Sequence, residues 1–489
     1  MATAKEALAW VTQLYNVLAD RRPGVEKAFN YFEGEQPLAY ASDAWKSFHA
    51  NRYAGFSDNW CGVVGRSPVE RLRIDGIRIG DDTEVVDPAE KELWNDWKRN
   101  ELGAASKQGF LASTIAKRSA VLVWGAGNDE PEVTWEHPAQ VAVAYSSANS
   151  RKRLAAIKVW HEGDDEYATL YLPDGVWKWR RPIGAKVTEG RTESGIYVSV
   201  DLGTSDWKPR EVANEAWPLD NPLGEVPVVE WVNRPLLGME PLSDIEGTMA
   251  MQDAINMLWA YLFASADQAS MAARVVLGAE PPKIPILDET GQIIGSKPAK
   301  MEDLANGRLL FLPGAGDSKP SIDQWDAAQL DVFTKVVSEA VSHVAAQTST
   351  PGHYLLTNSS FANLNGDALT AAETPLVQKV IAAQENGYDF AARETFRLMA
   401  KVRGNNALAE QVRTSSIQWK DAAMHSLSQV ADAATKDRAV GMSLATVLRT
   451  RYGFTPSEVE AELERVAAEE AAMAGAGMKA IGDAASSGA

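Results

Sequence analysis

The chain has 489 residues, and its 48 Lys and Arg residues against 66 Asp and Glu residues give a formal net charge of −18. With 45% hydrophobic and 23% charged residues it has the composition of a folded protein with a sizeable core, and the acidic balance argues against a broad basic face that grips nucleic acid. The single cysteine, Cys61, excludes an intrachain disulfide and a four-cysteine zinc site.

Neither a secretory signal nor a membrane-spanning segment is expected. The first residues, MATAKEALAW, lack the basic start and the small-residue cleavage site of a signal peptide. The longest charge-free apolar run near the middle of the chain, AINMLWAYLFASA between Asp253 and Asp267, has 13 residues. That is fewer than the ~20 residues needed to cross a bilayer.

The first part of the chain begins with helical patterns. Residues 4–19 repeat apolar side chains at helical spacing and end before Pro23, a helix breaker. A second helix is predicted over 88–100 with Asp87 as its cap, and a third over 105–118. These helices precede a change to a different periodicity.

A β meander is predicted over about residues 120–232. Its segments are short, rich in β-branched and aromatic residues, and separated by turn sequences such as Pro173-Asp174-Gly175. The clearest strand candidates are 120–124, 133–136, 141–145, 156–161, 167–172 and 176–180.

From Ser243 onward the pattern is mostly helical. Residues 243–273 form a long candidate helix in which Glu246 follows Ser243 by three positions, the pattern of a capping box. Residues 274–324 carry many prolines and glycines, which predicts a small insertion of strands and turns. A returning helix is predicted over 325–347. Helix, insertion and helix together indicate an antiparallel helical stalk that carries a small module.

A loop over 348–366 and a long helix over 367–403 come next. Pro375 and Gly387 lie inside that helix and are expected to kink or weaken it. Shorter helices and a disordered tail rich in Ala, Gly and Ser are predicted to follow, over 404–472 and 473–489.

No motif in the sequence indicates a catalytic, cofactor or metal site. Residues 314–319 resemble a phosphate-binding loop but lack its spacing, and the acidic run 161–166 lacks the ligand order of a calcium loop. The six histidines form no metal-ligand pair, and a G-x-S-x-G motif is absent. Because Asp and Glu are numerous, the carboxylate pair of a glycoside hydrolase stays open as an alternative.

The basic residues of the insertion stand among few acidic ones. Two interpretations are open: a solvated surface, or a docking face for an acidic partner or a passing phosphate. The residues concerned are Lys283, Lys297, Lys300, Arg308 and Lys319.

Five short segments, in order along nearly the whole chain, carry a resemblance to a known family. The segments are Tyr31 to Leu38, Asn233-Arg234-Pro235 with Ser243 to Glu246, Thr350 to Leu356, Gly366 to Leu369 with Glu373, and Trp419-Lys420-Asp421 with Ala433 and Lys436. Each segment is weakly specific alone, and the specificity comes from their order. Together they resemble the portal proteins (head-to-tail connectors) of long-tailed double-stranded DNA bacteriophages.

This resemblance implies an α+β portal fold in which the segments have family names. The fold would comprise an α+β wing, an antiparallel helical stem, a small α/β clip, a long kinked helix and a helical crown. The implied ranges are 1–242 for the wing, 243–273 and 325–347 for the stem helices, 274–324 for the clip, 348–366 for the tunnel loop, 367–403 for the long kinked wing helix and 404–472 for the crown.

The resemblance also implies where functional residues lie. The tunnel loop would face DNA with Thr348, Ser349, Thr350, His353, Tyr354, Asn358, Ser359 and Asn363. Its Ser, Thr and Asn side chains could touch phosphates weakly. The five basic residues of the clip would face the packaging motor or an adaptor. Stem packing is expected from Met257, Trp259, Leu262, Phe333, Val337 and Val341.

The partners implied are other copies of the chain in a ring, usually of twelve, at one capsid vertex. The terminase large subunit, head-completion and adaptor proteins, the major capsid protein, scaffolding proteins and double-stranded DNA without sequence specificity complete the set. The protein would be assembled in the host cytoplasm and reside in the virion. It is expected to be no enzyme and to need no cofactor. Alternative interpretations are another structural or scaffold-binding virion protein and, less favoured, a carbohydrate-active enzyme.

Overall fold

The computed structural model describes residues 2–38, 40, 42–43, 56–80, 87–125, 130–183, 207–270, 274–279, 282–287, 291–299, 309–312, 321–324, 329–355, 366–423, 425 and 427–487. The chain divides into two compact units. The larger unit contains residues 1–35, 59–249 and 345–489, and the smaller unit contains residues 36–58 and 250–344. Helices and strands occur in both, which confirms the predicted α+β class.

The first helix, α1 (Ala4–Glu33), is longer than its sequence pattern predicts. It continues through Pro23 and ends at Gly34, whose φ of 81° forms a left-handed cap. The prediction of an end before Pro23 is therefore wrong. A proline removes one intrahelical hydrogen bond, but Val25 and Ala28 beyond it are buried, so the packing of the later turns outweighs that loss.

Three further helices follow in the larger unit: α2 (Trp60–Val69), α3 (Pro88–Arg99) and α4 (Leu102–Ala116). The prediction of α3 is confirmed, and the Asp87 carboxylate accepts a hydrogen bond from the backbone N–H of Ala89 at 2.8 Å. The third predicted helix corresponds to α4, which begins and ends a few residues earlier than expected.

The predicted β meander is confirmed and forms two antiparallel sheets. The strands are β2 (Arg118–Gly125), β3 (Pro131–Glu136), β4 (Val141–Tyr145), β5 (Arg153–Glu162), β6 (Asp165–Leu172), β7 (Gly175–Pro182), β8 (Lys208–Pro209), β9 (Leu219–Asp220) and β10 (Val228–Val232). In the first sheet β2 lies between two neighbours, in the order β10-β2-β3. The second sheet has the order β4-β5-β6-β7-β8, with β9 also paired to β7.

A two-stranded sheet joins distant parts of the larger unit. β1 (Ile74–Arg78) pairs antiparallel with β16 (Ser416–Trp419), a strand close to the other end of the chain. The backbone N–H of Lys420 extends this pairing by donating to the Arg73 carbonyl at 2.9 Å. Residues of the predicted wing and the predicted crown therefore share one sheet.

The first predicted stem helix corresponds to α5 (Met249–Ser270), which begins later than predicted because a 3₁₀ turn at Glu246–Thr248 precedes it. The Ser243 hydroxyl nevertheless accepts hydrogen bonds from the backbone N–H groups of Ile245 and Glu246, at 3.2 and 3.3 Å. Ser243 thus caps the turn that leads into the helix, as the sequence pattern indicates.

The predicted insertion is confirmed as strands, and its described residues contain no helix. β11 (Arg274–Leu277) pairs parallel with β14 (Leu309–Leu312) and antiparallel with β15 (Ser321–Gln324), while a hairpin is formed by β12 (Lys283–Leu287) and β13 (Ile293–Pro298). The predicted returning helix corresponds to α6 (Leu330–Thr348). Because β11 follows α5 and β15 precedes α6, their pairing keeps the end of one helix near the start of the other.

The long helix predicted over 367–403 is interrupted at one place. α8 (Gly366–Ala383) and α9 (Asp389–Val402) are joined by a π-helical turn at Gln384–Tyr388. Pro375 lies within the regular α8, whereas Gly387 lies in the turn, where an added Cβ would overlap the Val232 carbonyl. The break in the regular helix therefore lies at Gly387 and not at Pro375.

Short helices complete the larger unit, together with one long helix at the end. They are α7 (Gly352–Leu355), α10 (Asn406–Val412), α11 (Leu427–Ala439), α12 (Leu444–Tyr452) and α13 (Pro456–Ser487). The tail predicted to be disordered over 473–489 is instead helical through Ser487. Its many alanines have the highest helix propensity of all residues, and this outweighs the low hydrophobicity of the segment.

Aromatic side chains form the centre of the larger unit. Phe110 of α4 packs against Trp135, Trp231 and Tyr388, with ring centroids 5.8, 5.7 and 5.0 Å away. This brings α4, β3, β10 and the π-helical turn into one core. Gly109 lies beside this cluster, and a Cβ added there would overlap the Trp135 indole.

An ionic cluster joins α9 to the segment before β10. Arg397 donates to Glu225 and Glu394, Arg153 pairs with both carboxylates at 3.2 and 3.0 Å, and Lys401 pairs with Glu225 at 2.5 Å. Burial alone would raise the pKa of Glu225, but hydrogen bonds from Arg397 and Lys401 lower it to about 2. Glu225 therefore stays charged and fully paired.

We predict that Gly109→Ala destabilises the larger unit, because the new methyl group would force the Trp135 indole out of the core. Overpacking of this kind lowers the free energy of unfolding by about 1–3 kcal/mol. Gly103→Ala is the matched control in the same helix, since a Cβ there meets no atom within 4 Å. Urea unfolding followed by circular dichroism measures both, and equal stabilities would contradict the packing described.

We also predict a pH-dependent loss of stability in Glu225→Gln. The folded-state pKa of about 2 lies below the usual pKa of ~4.3. The charged carboxylate therefore contributes its full stability above that ordinary value and loses it as the pH falls toward 2. The difference in urea midpoint between wild type and Glu225→Gln should be largest above pH ~5 and narrow in acid. Glu469→Gln, at a carboxylate side chain that is 55% exposed, is the control, and a pH-independent difference for Glu225→Gln would refute the assignment.

Candidate functional site

The chain leaves the larger unit and returns to it at neighbouring points. The Gln347 side-chain amide donates to the Gly247 carbonyl at 3.3 Å. Gly247 lies just before α5 and Gln347 lies in the last turn of α6, so the beginning of one predicted stem helix contacts the end of the other.

The carboxylate of Asp244 lies in this region and is almost completely buried. Asn233 donates to one of its oxygens at 3.0 Å and Arg234 pairs with the same oxygen at 2.9 Å, while Lys379 pairs with the other at 2.9 Å. The side chains of Asp244 and Lys379 are 2% and 9% exposed. Lys379 also donates to the Thr348 carbonyl at 3.1 Å, so one ammonium group joins the approach to α5, the end of α6 and α8.

Two opposing effects act on the pKa of Lys379 in its ion pair with Asp244. Burial lowers the pKa of Lys379, and the negative charge of Asp244 opposes that shift. The backbone of Asp244 donates to the Thr114 carbonyl at 2.8 Å, and the Ser243 hydroxyl donates to the Ile115 carbonyl at 2.6 Å. The carboxylate is therefore held in place through its backbone by the last turn of α4, and removing its partners would leave a buried charge uncompensated.

A second buried cluster lies at the base of the predicted tunnel loop. Arg71 donates to the Tyr354 hydroxyl at 2.9 Å and to the Ala422 carbonyl at 2.7 Å, and it pairs with Glu373 at 3.0 Å. The Tyr354 hydroxyl donates to Glu373 at 3.3 Å, and His353 Nε2 lies 3.6 Å from the same carboxylate. Since Tyr354 and Glu373 lie on either side of residues 356–365, Arg71 holds both sides of the loop.

The structure places the predicted tunnel-loop residues in two groups. Thr348 and Thr350 are 7% and 4% exposed, and their hydroxyls lie 2.8 Å apart. These two side chains are therefore buried at the base of the predicted loop. Ser349, His353 and Tyr354 are half-buried, whereas Asn358, Ser359 and Asn363 lie outside the described residues.

Two of the five basic residues predicted for the clip, Lys283 and Lys297, lie within the described residues. Lys297 lies opposite Ile284 in the β12–β13 hairpin, and Lys283 lies opposite Pro298. Successive residues of a strand point to opposite faces of a sheet, so Lys283 and Lys297 point to opposite sides of this hairpin. Lys300, Arg308 and Lys319 lie outside the described residues.

The predicted stem-packing residues differ in burial. Met257, Val337 and Val341 are 4%, 5% and 1% exposed, while Trp259, Leu262 and Phe333 are half-buried. Trp259 donates through its indole nitrogen to Asp58 at 2.7 Å.

Phe263 and Phe56 complete the surroundings of Trp259. Phe263 stacks on the indole with the ring centroids 5.7 Å apart, and Phe56 meets Phe263 edge-on at 5.1 Å. The aromatic side of α5 therefore packs against residues 56–58, a contact that the sequence analysis did not include.

The residues that hold the two buried clusters together were not identified as site residues from the sequence. Lys379 stands alone between apolar residues of a helix, a pattern typical of a buried and paired charge. Arg71 and Glu373 are far apart in the sequence, and no local pattern connects them. Within the described ranges, no group of His, Cys, Asp or Glu is arranged to hold a metal ion, and no helix combines the length and hydropathy of a membrane span.

We predict that Arg71→Met loosens the base of the tunnel loop, because it leaves Glu373 with fewer partners in a site where Arg71 is only 6% exposed. Removing one member of a buried ion pair lowers the free energy of unfolding by about 3–5 kcal/mol. Lys436→Met is the control, since that side chain is 74% exposed and pairs with Asp432 on the surface of its helix. Urea unfolding measures both, and a loss for Arg71→Met no larger than that of the control would contradict the cluster.

Comparisons with known proteins identify the family of the chain. The sequence profile of the family described as "Phage portal protein, SPP1 Gp6-like" matches residues 13–475. Two similar relatives are the "Portal protein" of Mycobacterium phage D29 and that of Mycobacterium phage L5. Each is 28% identical to this chain over 432 residues, which cover 83% of this chain and 78% of the relative. The chain belongs to the phage portal protein family.

Proposed function

We propose that this protein forms a ring, of twelve subunits, at one vertex of the capsid. The ring is the channel through which double-stranded DNA is packaged and later ejected, and the platform on which head and tail are joined. The chain itself acts by holding and guiding, so the energy for DNA movement comes from a partner. Membership of the portal family supports this proposal.

The exposed apolar surface of the smaller unit is the observation that carries the proposal. Its strands present large hydrophobic side chains that are each at least 39% exposed: Leu277, Ile284, Ile286, Leu287, Ile293, Ile294, Leu312 and Ile322. Its helices add Tyr261, Val332 and Val336, which are 41%, 48% and 46% exposed. Apolar surface of this extent marks a site of protein contact, and a ring gives every subunit two neighbours to cover it.

The negative net charge of the chain supports a channel that does not bind DNA tightly. A net charge of −18 for each subunit repels the phosphate backbone of DNA and reduces non-specific binding. The tunnel loop, 348–366, contains no Asp, Glu, Lys or Arg, and His353 is its one histidine. We infer that this loop approaches DNA without binding it strongly and without reading its sequence.

The segment names follow from the same proposal. Residues 1–242 are the wing, α5 and α6 the stem, 274–324 the clip, 348–366 the tunnel loop and 404–472 the crown. The clip faces the terminase large subunit during packaging and head-completion or adaptor proteins afterwards. Scaffolding protein and the major capsid protein are the partners during assembly, which takes place in the host cytoplasm before the protein resides in the virion.

Ring formation is tested by measuring the native mass of the purified protein and classifying its images in negative stain. We expect annular particles of several hundred kilodaltons with a central opening, since one subunit has a mass of 53.0 kDa. Ile286→Asp with Ile294→Asp should prevent ring formation while the circular dichroism spectrum is unchanged, because these side chains are 41% and 67% exposed.

Val440→Asp is the control for that experiment. Val440 is 81% exposed, but it belongs to the larger unit and not to the unit that carries the apolar strands. Rings should form normally in this variant. A compact dimer without annular particles in any condition, including the presence of scaffolding protein, would refute the proposal.

A further inference from the structure

A cleft of about 730 Å³ on the larger unit has a charge opposite to that of the chain. It lies between the turn that joins β4 to β5 and the first turns of α9. Its only acidic lining residues among those described are Glu225 and Glu394. Its basic lining residues are Arg151, Lys152, Arg153, Arg393, Arg397 and Arg413. In a chain of net charge −18, such a cluster around a concave surface points to an anionic ligand.

The two carboxylates of the cleft are already occupied. Glu225 and Glu394 accept hydrogen bonds from Arg397, and both pair with Arg153. The Arg153 and Arg397 side chains are 6% and 2% exposed. Lys401 pairs with Glu225 as well. Three basic side chains thus surround the two carboxylates in the wall of the cleft. The accessible positive charge that a ligand would meet comes from the other basic residues.

Those other basic residues are accessible. Arg151 and Lys152 are exposed on the β4–β5 turn. Arg413 is 54% exposed and pairs with Glu410 at 3.0 Å, and Arg393 pairs with Asp389 through Nη2 at 3.0 Å. A guanidinium can bind a carboxylate through two parallel hydrogen bonds, so the exposed guanidinium of Arg151 suits a ligand carboxylate.

The cleft also has an apolar component. Phe390 is 40% exposed, and the Arg151 guanidinium lies 5.5 Å from the centre of its ring. Pro173 and Val226 line the cleft beside it. A ligand that fits this surface carries negative charges around an apolar or aromatic side chain, because charges alone would leave Phe390 uncovered.

We propose that this cleft binds an acidic peptide segment of a partner protein. Its volume is in the range of pockets that enclose a small ligand or a few side chains, roughly 300–1,000 Å³. An extended peptide can insert single carboxylate and apolar side chains there. A DNA duplex is too wide to enter and would touch only the rim.

The test uses the full-length protein and a short fluorescein-labelled peptide of aspartate and glutamate around one phenylalanine. Fluorescence anisotropy measures binding to wild type, to Arg151→Glu with Lys152→Glu, and to Phe390→Ala. The charge reversal should weaken binding by about tenfold or more, and added salt should weaken binding to wild type. Lys5→Glu with Lys208→Glu, two exposed lysines outside the cleft, is the matched control and should bind as wild type does.

The other occupants are distinguished in the same experiment. A single-stranded oligonucleotide that binds in place of the peptide, and with the same dependence on Arg151 and Lys152, would overturn the proposal in favour of nucleic acid. Loss of oligomer mass in the charge-reversal variant with peptide binding intact would make the cleft a contact between subunits and also overturn it. The proposal would also be overturned if the peptide did not bind to wild type, or if it bound equally to all variants. The peptide-binding and oligonucleotide-binding readouts do not depend on whether the protein forms a ring.

Discussion

The buried carboxylate of Asp244 is the interaction on which the arrangement of the functional segments depends. Asn233, Arg234 and Lys379 occupy its two oxygens, and Lys379 reaches onward to the Thr348 carbonyl. A carboxylate in such a position is stable only while these partners surround it. The end of β10, the approach to α5, the end of α6 and the middle of α8 must therefore keep their positions together.

Features that depend on neighbouring residues could be predicted from the sequence. The Asp87 cap, the alternating strands of the meander and the proline- and glycine-rich insertion are each determined within a few residues. The order of the short segments indicated the family, which a match over residues 13–475 confirms. Gly387 was expected to disturb the long helix, and the π-helical turn lies there.

Features that depend on distant residues could not be predicted in the same way. Pro23 is a helix breaker in isolation, but the burial of Val25 and Ala28 keeps α1 intact. The tail was expected to be disordered from its composition, although its alanines favour the helix that continues to Ser487. Arg71 and Glu373 are far apart in the sequence and meet only in the folded chain, so no local pattern could identify their ion pair. The burial of Thr348 and Thr350 likewise depends on the folded chain.

The pairing of β1 with β16 has a consequence for biosynthesis. β1 occupies residues 74–78, and its partner, Ser416–Trp419, emerges from the ribosome only after most of the chain has been translated. Until then β1 is an unsatisfied strand edge, the kind of surface that attracts other chains. Such a non-local contact also slows folding. A nascent subunit therefore remains open to misassociation until translation is nearly complete, and premature termination before residue 416 leaves that edge permanently exposed.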